Sequence, residues 1–505
     1  MPKHLPLLLL FQVLFPALYS RLAAETAAEQ WVRAQITSGK NADLAKHSPN
    51  DTKQRVLTAD FLAKVLSTKS GLSDRVGISI SHGVVSDELD LERLDAIYDI
   101  ELSNFDFRGP VDLSGAHFHR SLSILQSTFE NTFVGYRLEV DGDLAIGGPP
   151  LNMPGSDAQF RSSVSMRFAS VGGQLAAHRA HFNGIVDFSG IEVHGRGVFQ
   201  KSRFADSVNL TLASFGGEAN LDETSFTRRD GAAGFNSMKV GHVATFNLSQ
   251  FAGDVDFSHM QISSNFQASG MRLIGTDHTV KFSYMKVGRF ALEDDDFSHG
   301  FVQMVGLATT DLDLGNVQWP DHDRFVCEDV TYDRINVAGG SASTLLKWPA
   351  SSRYSSSTYA ALASYLADHG NSGGASTVRV DRQKREAETL DFPHWIWDKL
   401  KFFTCGYGER PWYAFAWIGV FVAFGWAVFR HRAGMELIDP NQPDPGYDPF
   451  WYSLGLFLPV VDIGLMKAWR PKCGRRFAHN YAHVHVLLGW VFVPIAVASI
   501  SGILR

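Results

Sequence analysis

The stretch Phe182-Asn183-Gly184-Ile185-Val186-Asp187-Phe188-Ser189-Gly190-Ile191-Glu192-Val193, continued to Phe226, decides the fold. Phe182, Val193, Phe204, Phe215 and Phe226 recur every 11 residues, and Phe188, Phe199, Leu210 and Leu221 keep that period in a second register. Within a unit the apolar residues stand two apart, as in Val186 with Phe188, and a polar or small turn follows. Such spacing puts both side chains on one face of a strand, and the turn stops the strand after about three or four residues. A unit this short, with Gly or Ser in each turn, has no room for a helical hairpin. The expected product is a parallel β-helix with Phe, Leu and Val ladders along a narrow core. Asp112, Asp187, Asp254 and Asp256 are then turn residues bonded to backbone amides.

The same pattern runs outward in both directions. Upstream, Ile100 with Leu102, Val111 with Leu113 and Leu122 with Ile124 hold the period, as do Phe107, Phe118 and Phe129. It fades between Asn131 and Ser165. Around Arg228 to Gly234 both registers slip together and resume as Phe235, Phe246 and Phe257 beside Val240, Phe251, Ile262 and Leu273, which points to one change of loop length. At ~4.8 Å per rung and roughly 20 to 22 residues per coil, residues 84–317 predict about ten coils. In the region 25–83, Leu57, Phe61, Leu62 and Leu66 at helical spacing after Thr58 predict an amphipathic N-terminal cap over the open end.

Composition bounds the partners. The chain has 505 residues, 45% of them apolar, so it is neither disordered nor one small domain. A formal charge of −7 gives no global positive field, which excludes nucleic acid as the expected partner. Cys327, Cys405 and Cys473 lie too far apart for a disulfide framework or a Cys-x-x-Cys metal clip.

The ends place the chain at a membrane. Lys3 followed by the apolar run Leu5 to Leu18 predicts a signal peptide over residues 1–24. Trp412 to Phe429 and Val484 to Leu504 are long and apolar enough to span a bilayer. Between them the run 449–465 carries Pro459 and Asp462, which fits a re-entrant or interfacial hairpin better than a third span. The loop between the spans holds Arg430, Arg432, Lys467, Arg470, Lys472, Arg475 and Arg476, so it is expected in the cytoplasm and the repeat on the periplasmic or cell-surface side. Residues 318–411 form a linker in which Tyr359 to His369 and the basic segment Arg379 to Arg385 predict a helical hairpin.

At this point a resemblance becomes visible. Val111-Asp112-Leu113-Ser114-Gly115-Ala116-His117-Phe118, Val186 to Ile191 and Leu221 to Phe226 resemble degenerate pentapeptide-repeat units, with one extra residue for every two five-residue faces. The segments Cys405 to Trp412, Phe450 to Pro459 and Gly489-Trp490 resemble a group of bacterial membrane proteins joining such a repeat to an ion-channel-like two-span module. The resemblance implies a mainly β chain, a right-handed parallel β-helix with a square coil, followed by a small α-helical membrane module at 412–505.

Candidate chemistry is sparse. Thr404-Cys405-Gly406-Tyr407-Gly408 is similar to a potassium-channel filter, but no span precedes it, so a glycine-rich bend into the first span is expected. Tyr452, Ser453 and Asp462 are the pore-loop candidates, with Asp462 otherwise expected to pair with Arg470 or Lys467. His479 and His483, one helical turn apart, are the candidate metal ligands. Glu293-Asp294-Asp295-Asp296 is expected to be a solvated turn, since it lacks the alternation of a calcium loop. With no G-x-G-x-x-G after a strand, no P-loop and no nucleophile beside its base, no catalytic or cofactor-binding residue is assigned and no cofactor is expected. The expected function is a membrane-anchored extracytoplasmic protein that binds or scaffolds, its partners the lipid bilayer, an envelope protein or glycan, and a second copy through the membrane module. One alternative is an ion-channel-like protein with 449–465 as pore loop; another is an enzyme acting on envelope polysaccharide.

Overall fold

The computed structural model describes residues 25–67, 77–337, 342–388, 391–410, 412–441, 443–458 and 464–500. The expected signal segment, Pro459 and Asp462 lie outside them. The chain divides into two compact units, Met1–Ser355 and Ser356–Arg505.

The first unit is a parallel β-solenoid of about twelve turns, where the period had predicted about ten. One coil runs through four short walls, Ile100–Ser103, Asp106–Phe107, Val111–Asp112 and His117–Phe118, and the next begins at Leu122–Leu125. Leu122 pairs in parallel with Ile100, so one coil spans two repeats of the sequence period. Phe107 and Phe129 accordingly share one wall, while Phe118 stands on the opposite one.

The backbone explains why the period exceeds two pentapeptide faces by a single residue. A residue of positive φ recurs once per period, at His82, Arg93, Asn104, Gly115, Gln126 and Arg137, and again at Phe168, Arg179, Gly190, Lys201, Leu212 and Glu223. One left-handed residue turns every second corner, and its N–H still donates to the next coil, as from Asn104 to Leu125 O at 2.9 Å. Left-handed backbone costs an L-residue about 1–2 kcal/mol, so this hydrogen bond offsets a local strain. Where that corner residue is large, it covers the corner glycine of the next coil: a Cβ on Gly190 would meet the Phe168 ring at 2.6 Å, and one on Gly306 the Tyr284 ring at 2.6 Å. Phe168 and Tyr284 are exposed for this reason.

Two irregularities have local causes. The segment 146–157 is an inserted loop, so Phe129 pairs with Phe160 across a lengthened coil, while the strands at Phe133–Val134, Glu139–Val140 and Leu144–Ala145 keep their places. The slip after Arg228 is one lengthened turn, across which Phe226 still pairs with Phe251.

Rings fill the core. Phe107, Phe129, Phe160, Phe182, Phe204, Phe226 and Phe251 form one column with centroids 4.5–5.0 Å apart and near-parallel planes. The rung spacing of a parallel sheet is the stacking distance of an aromatic ring, so each Phe gains offset stacking beyond the area it buries. The expected turn residues do bond to backbone amides: Asp112, Asp187 and Asp256 each accept the N–H two residues on, and Asp254 accepts Thr279 N in the next coil. The Glu293–Asp296 turn departs from expectation. Asp295 is fully buried and accepts from Met271 N at 2.6 Å and Glu293 N at 3.0 Å, because the chain turns its carboxylate inward to satisfy two corner amides.

Both open ends of the ladders are covered. α1 (Ala27–Thr37) starts with a Thr26–Glu29 capping box, and α2 (Ala59–Leu66), capped by Thr58, buries Phe61, Leu62, Val65 and Leu66. Buried Glu29 ties the two helices by accepting from Thr58 N at 2.8 Å and Thr58 Oγ1 at 2.6 Å. At the far end the ladders reach Val337, and α3 (Ala342–Ser351) buries Trp348 against Tyr332.

The second unit is helical. α4 (Ser356–Asp368) and α5 (Ser372–Ala387) form a hairpin, and α6 (Phe392–Cys405) ends at left-handed Gly406 and Tyr407. Tyr407 Oη donates to Asp398 at 2.6 Å, which makes the Thr404–Gly408 string a helix-terminating bend. α7 (Trp412–Phe429), α8 (Pro449–Phe457) and α9 (Arg476–Ile500) pack together, and α9 begins two turns ahead of the expected span. A Cβ on Gly489 would meet Phe457 O at 1.9 Å, so α8 rests directly on the α9 backbone.

Candidate functional site

The solenoid changes character at Gln261. In regular coils two adjacent walls of the large sheet are separate strands, such as Lys239–Val240 and Ala244–Thr245. In the last coils they merge into long strands, Gln261–Ser269, Lys286–Glu293 and Ala308–Leu314, followed by Arg334–Val337. The register shows how. Gln261–Ser269 merges the walls at the spacing of the coil below, with Ile262 opposite Val240 and Phe266 opposite Ala244; the next coil then drops one residue beside Gly288, since Asn265, three positions after Ile262, pairs with Arg289, only two after Val287. A broader, flatter face results.

Alternation then decides what this face carries. Phe266, Phe290, Leu312 and Ile335 point into the core in one row. The flanking outward rows are Asn265, Arg289, Asp311 and Arg334, and Gln267, Ala291, Asp313 and Asn336. The charges are laced across the rungs. Arg334 makes a forked pair with Asp311, Arg289 pairs with Asp313, and Asn336 Nδ2 donates to Asp313 at 3.2 Å. The Arg334 guanidinium holds the Asp311 carboxyl below the usual carboxylate range, and Asp311 in turn raises Arg334. An open pocket of about 420 Å³ lies here, its lining including Asn265, Gln267, Arg289, Glu293, Asp313 and Asn336. Amides, guanidinium and carboxylates on fixed rungs recognise a ligand by hydrogen bonding along the strands; they offer no nucleophile with an adjacent base.

No local motif in the sequence marks this face. Its residues lie about one coil apart in the chain, and they become neighbours only once the coil length is known. The polar alternation within Arg289–Glu293 and Thr310–Leu314 was the available signal.

The residues singled out from sequence fall in the second unit. Tyr452 and Ser453 are on α8 and buried: Tyr452 packs edge-on against Phe429, and Ser453 Oγ donates to Val422 O at 2.9 Å. Arg470 pairs with Glu436 at 2.8 Å across the antiparallel strands Met435–Leu437 and Trp469–Pro471, while Asp462, its other expected partner, lies outside the described residues. His479 and His483 stack edge to face on α9 at 5.2 Å. His485, two positions beyond that pair, is the histidine that the helix packing uses. It is fully buried, with Nε2 at 3.1 Å from both Ser453 Oγ and Ser453 O and Nδ1 at 3.1 Å from Tyr481 Oη, and so it joins α8 to α9.

Comparison with known proteins bears on the solenoid alone. No curated protein and no solved structure matches the chain. The family model for pentapeptide repeats (9 copies) matches residues 177–225, within the regular coils that hold Phe182 and Phe204 of the ring column.

Proposed function

We propose that the protein is a membrane-anchored binding or scaffolding protein whose solenoid holds an envelope glycan along the broad polar face of its last coils. The observation that carries this reading is that face itself, where Asn265, Gln267 and Asn336 accompany the Arg289–Asp313 and Arg334–Asp311 pairs. Sugar hydroxyls both donate and accept, and side-chain amides answer both roles. A long shallow face with repeated polar rungs fits a chain-like ligand better than a small molecule, which favours deep enclosed sites.

Anchoring rests on α7 and α9. Trp412–Phe429 and Arg476–Ala498 are long and apolar enough to span a bilayer, and only 22% of either apolar window is buried. Trp417, Phe424 and Trp426 on α7 and Leu487, Trp490 and Val491 on α9 remain exposed, an arrangement suited to lipid. The basic loop between the two helices supports a cytoplasmic loop and an extracytoplasmic repeat.

The test is binding of purified envelope polysaccharide to the full chain in detergent. Saturable binding that falls with Asn265→Ala/Gln267→Ala, at unchanged circular dichroism, is the expected result. Equal binding by that variant refutes the polar face as the site. Protease digestion of the repeat from outside intact cells tests the orientation, which complete protection overturns.

A further inference from the structure

Near the other end of the solenoid, on the wall that runs through Glu192–Val193 and Lys239–Val240 into Gln261, four side chains converge that the broad face does not involve. His117 and His119 flank Phe118 on the strand His117–Phe118, so both imidazoles point outward while the fully buried Phe118 ring anchors the rung. The strand Asp95–Ala96 pairs below, with Asp95 opposite His117, and Glu139–Val140 pairs above, leading into Asp141. The contacts cross between rungs. His119 Nε2 lies 2.8 Å from Asp95, His117 Nε2 lies 3.1 Å from Asp141, and His119 Nδ1 lies 3.4 Å from the second Asp141 oxygen. The two imidazole rings sit 3.9 Å apart.

We propose that Asp95, His117 and His119 bind one divalent transition-metal ion of the zinc, nickel or copper class, with Asp141 of the next coil orienting the His119 ring through Nδ1. One ligand atom each from Asp95, His117 and His119 already lies within 4.8 Å of the others. A tetrahedral ion with bonds near 2.0–2.2 Å needs its donors roughly 3.4 Å apart, so the side chains close in by about an ångström on binding. Three properties distinguish the cluster from scattered surface ion pairs. Two imidazoles with one carboxylate form a borderline donor set that matches these metals rather than calcium or magnesium, which prefer all-oxygen sites. The backbone spacing is fixed by the parallel ladder on both sides, so little ordering is needed on binding. The ligands come from two consecutive coils, so a bound ion cross-links those rungs and stabilises the folded solenoid by mass action.

The test uses the full chain in detergent, stripped with chelator and titrated with Zn²⁺ by calorimetry, with Cu²⁺ electron paramagnetic resonance as a second readout. The expected result is a saturable site whose Cu²⁺ spectrum shows coupling to two imidazole nitrogens. His117→Ala/His119→Ala removes that coupling and weakens Zn²⁺ binding by about tenfold or more. Asp95→Asn/Asp141→Asn weakens binding while leaving the nitrogen coupling visible. Because His479 and His483 offer a competing pair on α9, the same titration on His479→Ala/His483→Ala must leave the site intact. Undiminished binding by His117→Ala/His119→Ala, or loss of all binding in His479→Ala/His483→Ala, overturns the proposal.

Discussion

Replacing Phe204 by Ala tests the ring column directly. Phe204 is 1% exposed and stacks on Phe182 at 5.0 Å and Phe226 at 4.9 Å, in planes within 8° of parallel. Its neighbours are held by the ladder itself, through Ala205 N to Phe182 O at 2.8 Å and Thr227 N to Phe204 O at 2.9 Å. The walls therefore cannot close on the space left behind. Large-to-small core changes of this kind cost about 3–5 kcal/mol, least where the site collapses and most where it stays open. Two lost stacking contacts at ~0.5–1.5 kcal/mol each place this site in the upper half, at about 4–5 kcal/mol. The assay is urea unfolding of the full chain in detergent by far-ultraviolet circular dichroism, with amide exchange at the Arg203–Phe204 rung reporting local opening. Repeat folds lose stability locally through nearest-neighbour terms, so exchange should accelerate first in the coils of Phe182 and Phe226. Phe168→Ala, at an exposed corner, is the control and should cost about 1 kcal/mol or less. A loss below about 1.5 kcal/mol for Phe204→Ala, or one equal to that of Phe168→Ala, refutes the column as the main source of solenoid stability.

Three further perturbations probe corners and buried polar groups. Ser202 Oγ accepts from Ala180 N at 3.0 Å and donates to Ala177 O at 2.7 Å, both buried; Ser202→Ala strands these groups and should cost about 1–3 kcal/mol in the same unfolding assay. Gly190→Ala introduces a Cβ at φ +66 and 2.6 Å from the Phe168 ring; it should cost about 1–3 kcal/mol, and Phe168→Ala in the same chain should recover part of that, as a double-mutant cycle would measure. Burial pushes the Asp295 carboxyl up to about 7, against the lowering by its two backbone amides. The folded chain then holds a proton that the unfolded chain releases from about 3.8 upward, so the Asp295 contribution to stability declines as pH rises from there to about 7, by at most ~4 kcal/mol. Asp295→Asn should flatten that slope, and identical pH profiles for the two chains would refute the buried carboxyl as its source.

The solenoid was legible because its information is local and repeated. Two-residue alternation sets the face of each strand, the turn sets its length, and the regular spacing of Phe182, Val193 and Phe204 survives even where loops vary. The N-terminal cap was legible for a related reason, since Thr58 and the spacing of Phe61, Leu62 and Leu66 mark a helix start and one apolar face. The two apolar helices follow from composition over a window as long as the helix itself.

What the chain order concealed is every relation across coils. The left-handed corner that sets the length of the repeating unit falls on Arg, Asn, Lys, Leu or Glu more often than on Gly, so no residue type announces it. Asp295 stands in an acidic run that looks solvated, yet the turn of one corner sends it inward while its neighbour Asp294 takes left-handed φ. The straightened corner at Gly288 depends on one residue lost relative to the coil below, a difference with meaning only against that coil. The same holds for Asp95, His117, His119 and Asp141, which are about one coil apart in the chain and become neighbours through the ladder. Sequence alone determined that short strands would stack around aromatic rows and that two apolar helices would follow, because alternation, period and hydropathy act within a few residues of themselves. Tertiary structure decided which polar side chains share a face, because contacts between coils join positions a full coil apart, as Ile100 and Leu122 are, and only the length of each turn sets which ones meet.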